Sequence, residues 1–355
     1  MPAFRADLDQ IPVYRPGKPI DELSRALGID DIVKLASNEW PLEPFPEVVE
    51  AIAAAATDFN RYPENSVYHV VNALAEQVGV PGDHIWVGAG STELLTCIAI
   101  AVGGPGTSTV FSDPSFVMYP ISAALTGAEA IAVPSTPGMG HDLNAMEAAI
   151  RSDTALVYVC NPNNPTGTYL AAADIASFVE SVPDRTLIVV DEAYYEFVTA
   201  GDYASAVPIA LTRDNVVVTR TFSKVYGLAG LRIGYAIGRP ETLVQLRRAQ
   251  VPFSVNSAAQ AGALAALAHS DRLAERVHDN DAARAELEDG LADRNVDFVA
   301  SQTNFVLVRP ASDPKQLSDA LLHVGVIVRP MGAFIRVTIG TAEENRRFLE
   351  SLDNL

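Results

Sequence analysis

The stretch Thr-Phe-Ser-Lys-Val-Tyr-Gly-Leu-Ala-Gly-Leu-Arg-Ile-Gly, residues 221–234, follows the apolar run Val-Val-Val-Thr at residues 216–219. An apolar run of this kind predicts a buried strand, and ligands of open α/β sheets bind beyond the carboxyl ends of such strands. Lys224 stands among apolar and glycine neighbours, where desolvation favours the neutral amine that Schiff-base chemistry needs. Two hydroxyls and a guanidinium in the same stretch suit a phosphate, namely those of Thr221, Ser223 and Arg232. The alternative interpretation is a tight glycine-rich turn that holds an ordinary lysine.

A carboxylate ends a second apolar strand. Asp191 directly follows Leu-Ile-Val-Val at residues 187–190, and Tyr194 comes three residues later. A carboxylate at a strand's exit can pair with a protonated pyridine nitrogen and so keep the ring an electron sink. The tyrosine could then reach the phenolic oxygen of the same ring. The alternative is a strand-terminal aspartate that caps the next turn.

Two loops complete the pattern. The segment Asn-Pro-Asn-Asn-Pro-Thr-Gly at 161–167 follows a third strand. Such clusters usually form only a loop, but Asn164 could donate an amide hydrogen bond to the phenolic oxygen. The segment Gly-Ala-Gly-Ser-Thr-Glu at 88–93 precedes a helix, whose N-terminal N–H groups favour a phosphate, and Ser91 and Thr92 add hydroxyls. A dinucleotide fingerprint is disfavoured because a glutamate replaces its third glycine.

The composition argues against several classes of protein. The chain has 355 residues, is 48% hydrophobic and carries a net charge of −19, so it can bury a large core but would repel nucleic acids and anionic membranes. It lacks an apolar run of roughly 18 residues and the apolar core of a signal peptide, which indicates a cytoplasmic protein. We expect no metal site, because the six histidines lack ligand spacing, and we expect Cys97 and Cys160 to be buried thiols.

The order of segments predicts an α/β protein with two unequal parts. Short apolar strands alternate with helix-like segments, which indicates a mostly parallel sheet covered by helices on both faces. From residue 257 to about 293 the sequence predicts one extended helix, and a shorter α+β pattern follows. We therefore assign residues 1–45 to an N-terminal arm and part of the small domain, 46–250 to the large domain, and 251–355 to a linking helix and the C-terminal small domain.

The combined motifs resemble the fold-type I aminotransferases that depend on pyridoxal 5'-phosphate (PLP). The order Asn-Pro-Thr-Gly, Asp-x-x-Tyr, Thr-x-x-Lys and an arginine eight residues after the lysine is specific to that family, and the resemblance covers essentially the whole chain. It implies a mostly parallel, seven-stranded type of sheet between helices, plus a smaller α+β domain. The resemblance is strongest to the branch of the histidinol-phosphate aminotransferases and the actinobacterial aromatic amino acid (phenylalanine) aminotransferases.

The resemblance implies a role for each residue at the cofactor. Lys224 forms the Schiff base and shuttles the proton between Cα of the substrate and C4' of PLP. Asp191 binds the pyridinium nitrogen, while Tyr194 and Asn164 tune the phenolate. Phe116 stacks on the ring, unless it is a plain core residue. The residues implied to hold the cofactor phosphate are Gly90, Ser91, Thr92, Thr221, Ser223 and Arg232.

The same resemblance implies residues at the substrate and at a second subunit. Arg336 binds the anionic group of the substrate bidentately, with Arg329 as a second candidate and Asn38 as a residue that orients the carboxylate. Tyr14 belongs to an arm that covers the substrate. Tyr62 reaches the cofactor phosphate of the neighbouring subunit, which implies a homodimer with shared active sites; a buried structural tyrosine is the alternative. The sequence departs from the family just after Asn38, where Trp40 and Leu42 replace its usual residues and leave the shape of the pocket open.

The motifs leave the substrate open. The resemblance favours an aromatic amino acid aminotransferase that uses an acceptor such as 2-oxoglutarate in a ping-pong reaction. Histidinol-phosphate aminotransferase is the alternative, since the same arginines would bind a phosphate. A PLP-dependent decarboxylase on the same scaffold is a further alternative. A PLP-sensing module of a transcription regulator is disfavoured by the acidity of the chain.

Overall fold

The computed structural model describes Ile11, residues 20–29 and residues 31–355. The helices are α1 (Ile20–Leu27), α2 (Pro46–Ala55), α3 (Tyr68–Val78), α4 (Ser91–Val102), α5 (Met118–Thr126), α6 (Leu143–Ala148), α7 (Ala172–Ser181), α8 (Val207–Ala210), α9 (Pro240–Leu246), α10 (Ser257–Ala268), α11 (Leu273–Asp293), α12 (Pro314–His323) and α13 (Ala342–Asp353). The strands are β1 (Val33–Lys34), β2 (Ile85–Gly88), β3 (Ser108–Asp113), β4 (Glu129–Pro134), β5 (Thr154–Cys160), β6 (Leu187–Asp191), β7 (Val216–Thr221), β8 (Gly234–Ile237), β9 (Asp297–Val299), β10 (Phe305–Arg309), β11 (Val326–Ile327), β12 (Arg329–Met331) and β13 (Phe334–Thr338).

The central sheet has seven strands in the order β2-β8-β7-β6-β5-β3-β4. Strands β3 to β7 run parallel, whereas β8 is antiparallel to both of its neighbours. Every residue of β6 and β7 is buried, as expected of parallel strands that helices cover on both faces. The sheet confirms the predicted α/β class and the mostly parallel arrangement.

The register of three neighbouring strands gathers their carboxyl ends at one edge of the sheet. Cys160 of β5 lies beside Asp191 of β6, and Asp191 lies beside Thr219 of β7. The segments that follow these strands therefore meet above the same edge. This is the position at which open α/β sheets bind their ligands.

A smaller α+β unit is built on a second, antiparallel sheet of order β12-β13-β10-β9. Its apolar face packs on buried residues of α11 and α13, among them Leu287, Leu291 and Phe348. The short strand β1 pairs in parallel with β11, so the segment around Val33 joins this C-terminal unit. The domain boundaries given above remain a prediction.

The structure corrects the expectation of one extended helix over 257–293. Helix α10 ends at Ala268, a single 3₁₀ turn spans Ser270–Arg272, and α11 begins at Leu273. At the break His269 has φ −117° and ψ 27°. A serine and an aspartate follow it, and such side chains compete with helical backbone bonds, so they favour helix ends over helix interiors. Strand β8 was not predicted either, because its sequence, Gly-Tyr-Ala-Ile, is short and has no strand period.

Within the residues that the structure describes, none of the helices combines the length and the apolar character needed to cross a membrane.

Candidate active site

A cavity of about 960 Å³ opens at the carboxyl edge of the central sheet. Its walls come from the loops after β5, β6 and β7, from the start of α4 and from strands β12 and β13 of the second sheet. The structure thus brings together most of the predicted site residues. Those that line the cavity are Asn38, Ser91, Thr92, Phe116, Asn164, Asp191, Tyr194, Thr221, Ser223, Lys224, Arg232, Arg329 and Arg336.

Lys224 extends from the turn after β7 into this cavity. Its Nζ donates to the carbonyl oxygen of Asn38 at 3.1 Å and lies 5.3 Å from the centroid of the Tyr194 ring. Burial and, after it, the positive charge of Arg336 lower the pKa of the Lys224 amine to about 7. A substantial fraction of the amine is therefore neutral and nucleophilic near pH 7.

Asp191 is a buried carboxylate at the end of β6, 2% exposed. It accepts hydrogen bonds from the hydroxyl of Tyr119 at 2.9 Å and from Thr219 Oγ1 at 3.1 Å. Burial raises the pKa of Asp191 to about 6, although these two donors oppose the rise. In the part of the chain that the structure describes, Asp191 forms no ion pair, so its carboxylate is suited to pair with the cation of a ligand. Sequence reasoning missed Tyr119, which carries no motif signal.

The turn before α4 and the guanidinium of Arg232 form a cradle for an anion. Gly90 has a φ of +84°, and a Cβ added there would lie 2.8 Å from Arg232 Nη2. Helix α4 begins at the next residue, so its first N–H groups point into the same space. Across the cradle, Thr221 Oγ1 donates to Ser223 Oγ at 2.9 Å.

Glu93 holds this cradle in place. Its Oε2 accepts from the backbone N–H of Ala89 at 2.5 Å and from Ser254 Oγ at 3.0 Å. Glu93, which replaces the third glycine of the dinucleotide fingerprint, thus stabilises the turn before α4. That role was not predicted from the sequence.

Arg336 and Asn164 meet in the wall of the cavity. Arg336 Nη1 donates to Asn164 Oδ1 at 2.6 Å, and Nη2 donates to the carbonyl of Ala36 at 2.9 Å. Since the amide oxygen of Asn164 accepts from the arginine, its amide nitrogen is the group that can donate to a ligand. Arg329 lies directly opposite Arg336 in the β12–β13 register.

Two predicted residues of the described part of the chain, Gly90 and Tyr62, are not among the residues that line the cavity. Tyr62 is 83% exposed and stacks on Phe253 with ring centroids 4.9 Å apart, so it is not a buried structural tyrosine. Tyr14 lies outside the described residues.

The two departures from the family motif lie away from the cavity walls. Trp40 packs against the main core, with the guanidinium of Arg276 5.1 Å from its ring, and Leu42 is 56% exposed. Neither side chain is among the residues that line the cavity. Phe116 does line it, and its ring meets that of Tyr119 edge-on at 5.7 Å.

Comparison with known proteins shows the family of this chain. The model of the family "Aminotransferase class I and II" matches residues 30–352. Histidinol-phosphate aminotransferase 2 of Pseudomonas aeruginosa is 44% identical over 346 residues, which cover 96% of this chain and 94% of that protein. The aromatic amino acid aminotransferase of Streptomyces coelicolor is 41% identical over 350 residues, with 98% and 96% covered. The solved structure of histidinol-phosphate aminotransferase from Sinorhizobium meliloti in complex with pyridoxal-5'-phosphate superposes with a TM-score of 0.91 at 30% identity, covering 99% of this chain and 96% of that one.

Proposed function

The chain belongs to the class I and II aminotransferases and is itself an aminotransferase, as its motifs predicted, and we propose that it transfers the amino group of an aromatic amino acid to a 2-oxo acid such as 2-oxoglutarate. The family depends on PLP, and we propose that this chain binds PLP through Lys224. The observation that carries the proposal is a nucleophilic amine and a buried carboxylate in one cavity, next to an anion cradle.

The donor set suits each part of this cofactor. The cradle at Gly90 and Arg232 supplies donors and charge for a phosphate, because the glycine lets the guanidinium of Arg232 come close to the start of α4, where a Cβ would stand only 2.8 Å from its Nη2. Asp191 supplies a carboxylate for a pyridinium nitrogen, and Tyr194 and Asn164 supply donors for a phenolic oxygen. When bound, PLP supplies an electron sink that stabilises the negative charge left on the substrate's Cα after proton loss.

The chain's own residues would then bind the substrate and move its proton. Arg336 binds the carboxylate of the amino acid and of the oxo acid in turn, so one anion site serves both halves of a ping-pong reaction. The amine of Lys224, with a pKa near 7, can take up and return a proton at neutral pH. Asp191 stays ionised beside a cation, because the attraction offsets the cost of its burial.

An aromatic donor is favoured by the apolar part of the cavity wall. This wall is made by Phe116, Val117, Ile121 and Met331. Moving a planar apolar side chain from water onto such a surface is favourable by about 25 cal/mol of free energy per Å² of apolar area buried. Steady-state rates of the purified, cofactor-loaded protein with phenylalanine and with histidinol phosphate test the proposal. A large preference for histidinol phosphate would end the aromatic assignment.

Histidinol phosphate is the second candidate, because two arginines stand opposite each other at the site. A phosphate dianion bound between Arg329 and Arg336 could accept charge-assisted hydrogen bonds from both guanidinium groups, which line the same cavity. Several of the similar relatives also carry this enzyme's name. The variant Arg329→Gln distinguishes the two candidate substrates. If histidinol phosphate is the substrate, the KM of the variant should rise far more for this ester than for phenylalanine.

A homodimer with shared sites is part of the proposal. The exposed Tyr62–Phe253 pair is an aromatic surface that a second subunit could cover. Mixing Tyr62→Ala and Lys224→Ala chains tests it, because each mixed dimer would contain one site with both native residues. We expect about a quarter of wild-type activity from random mixing, and no recovery if the sites are independent.

The cytoplasmic location remains a prediction, which cell fractionation would test.

A further inference from the structure

Two hydrogen bonds link Asn38, in the segment after β1, to Thr338 at the end of strand β13. The backbone N–H of Asn38 donates to Thr338 Oγ1 at 2.9 Å, and Thr338 Oγ1 donates to Asn38 Oδ1 at 3.1 Å. Asn38 Nδ2 then donates to the hydroxyl oxygen of Tyr194 at 3.0 Å. All three residues are at most 3% exposed, so water cannot easily replace these bonds.

The backbone of Asn38 is held just as firmly. Its φ is +54°, a left-handed conformation that asparagine tolerates better than most residues. Its carbonyl oxygen accepts from Lys224 Nζ and from Asn304 Nδ2, each at 3.1 Å. The side chain of Asn38 is therefore presented to Thr338 and Tyr194 from a fixed position.

The direction of each hydrogen bond follows from the hydroxyl of Thr338. That oxygen already accepts from a backbone N–H, so its own proton needs an acceptor, and Asn38 Oδ1 is the acceptor the structure gives it. If the amide were reversed, its NH₂ would face Thr338 and the buried hydroxyl proton would lose this acceptor, at a cost of the order of 1–3 kcal/mol. The amide oxygen thus stays on the side of Thr338, and the amide NH₂ stays on the side of Tyr194.

We infer that Thr338 is a positioning residue that sets the proton direction of the Tyr194 hydroxyl through Asn38. Because Tyr194 accepts from Asn38, its own proton is directed into the cavity, where it can be donated to the phenolic oxygen of the cofactor. The inference rests on the proposed function, since it assigns a role at the bound PLP. Thr338 itself is not among the residues that line the cavity.

The pH midpoint of the visible absorbance of the bound cofactor reports this donation. A donor to the phenolic oxygen competes with the imine proton for that oxygen, so losing the donor makes the proton harder to remove and raises the midpoint. We expect Thr338→Val to raise the midpoint by about one pH unit, the scale of one net hydrogen bond. Thr338→Ser retains the hydroxyl and should keep the wild-type midpoint. Thr338→Ala is the second variant, because it removes the hydroxyl without placing a methyl group in its position, as valine does.

A double variant distinguishes this role from a structural one. Tyr194→Phe should raise the midpoint by itself, and adding Thr338→Val to it should change the midpoint no further, since the group that Thr338 acts through is gone. Wild-type midpoints in Thr338→Val and Thr338→Ala, or full additivity in the double variant, would overturn the inference. A wild-type protein that gains no visible absorbance with PLP would instead overturn the proposed function.

Discussion

Replacing Tyr119 by phenylalanine should make the stability of the cofactor-free protein more dependent on pH. Tyr119 is fully buried, and its hydroxyl donates to Asp191 Oδ2 at 2.9 Å. The substitution removes that donor and leaves the ring, which stacks on Tyr158 at 4.3 Å. The buried carboxylate then has Thr219 as its remaining side-chain donor. We therefore expect the pKa of Asp191 to rise above its already elevated value.

The direction in which stability changes with pH follows from the pKa of the Asp191 carboxyl in the folded and in the unfolded chain. Burial raises the pKa of Asp191 from 3.8 to about 6, so ionised Asp191 disfavours the folded state. The penalty is absent below about pH 4, grows as the pH rises through the folded pKa and is complete above it, where it amounts to ~3 kcal/mol. A hydrogen bond to a charged group contributes about 1.5–3 kcal/mol, so Tyr119→Phe should add roughly that amount to the penalty.

The assay is denaturant unfolding of the cofactor-free protein at a series of pH values. The variant and wild type should differ little near pH 4, and the variant should be less stable by about 1.5–3 kcal/mol near pH 8. Tyr158→Phe is the matched control, because its ring lies beside Tyr119 while its hydroxyl contacts Ser122 and the carbonyl of Leu95. Parallel stability curves for Tyr119→Phe and wild type across this range would refute the reasoning.

Three further substitutions test the cofactor and substrate roles. Lys224→Ala should abolish turnover and the visible absorbance of the bound cofactor, and borohydride should then leave the chain unlabelled; near-normal rates would remove the lysine from the chemistry. Arg336→Ala should chiefly raise KM for the amino acid and the oxo acid, by about 10- to 100-fold for a lost charge-assisted pair, whereas an unchanged KM would place the arginine outside the site. Gly90→Ala places a Cβ 2.8 Å from Arg232 Nη2 at a φ of +84°, so it should weaken PLP binding in an equilibrium titration; wild-type affinity would contradict the anion cradle.

Local patterns were enough to predict the fold class and the family. Continuous apolar runs predicted the parallel strands, and the glycine-containing segment at 88–93 predicted the start of helix α4. The polar residues that follow those strands, among them Asp191 and Lys224, could be grouped because parallel strands end at one edge of a sheet. The family resemblance added Asn38 and Arg336, which lie far apart in the chain.

Residues without a local signal could not be predicted. Tyr119 sits in helix α5, and its contact with Asp191 depends on how that helix packs on the sheet. Thr338 and Asn38 are 300 residues apart, so no short-range pattern links them. The break at His269 interrupts a stretch whose composition favours helix on both sides.

The sequence by itself determined the α/β architecture, the family and the chemical groups available to the site, because strand formation, turn geometry and desolvation depend on near neighbours in the chain. The tertiary structure alone decided which side chains hold the predicted site residues in place: Tyr119 contacts Asp191, Thr338 contacts Asn38, and Glu93 contacts the turn before α4. The contacts of Tyr119 and Thr338 join segments distant in sequence, and so does the hydrogen bond from Ser254 to Glu93. They exist because the packing of helices and the register of strands bring particular atoms within hydrogen-bond distance.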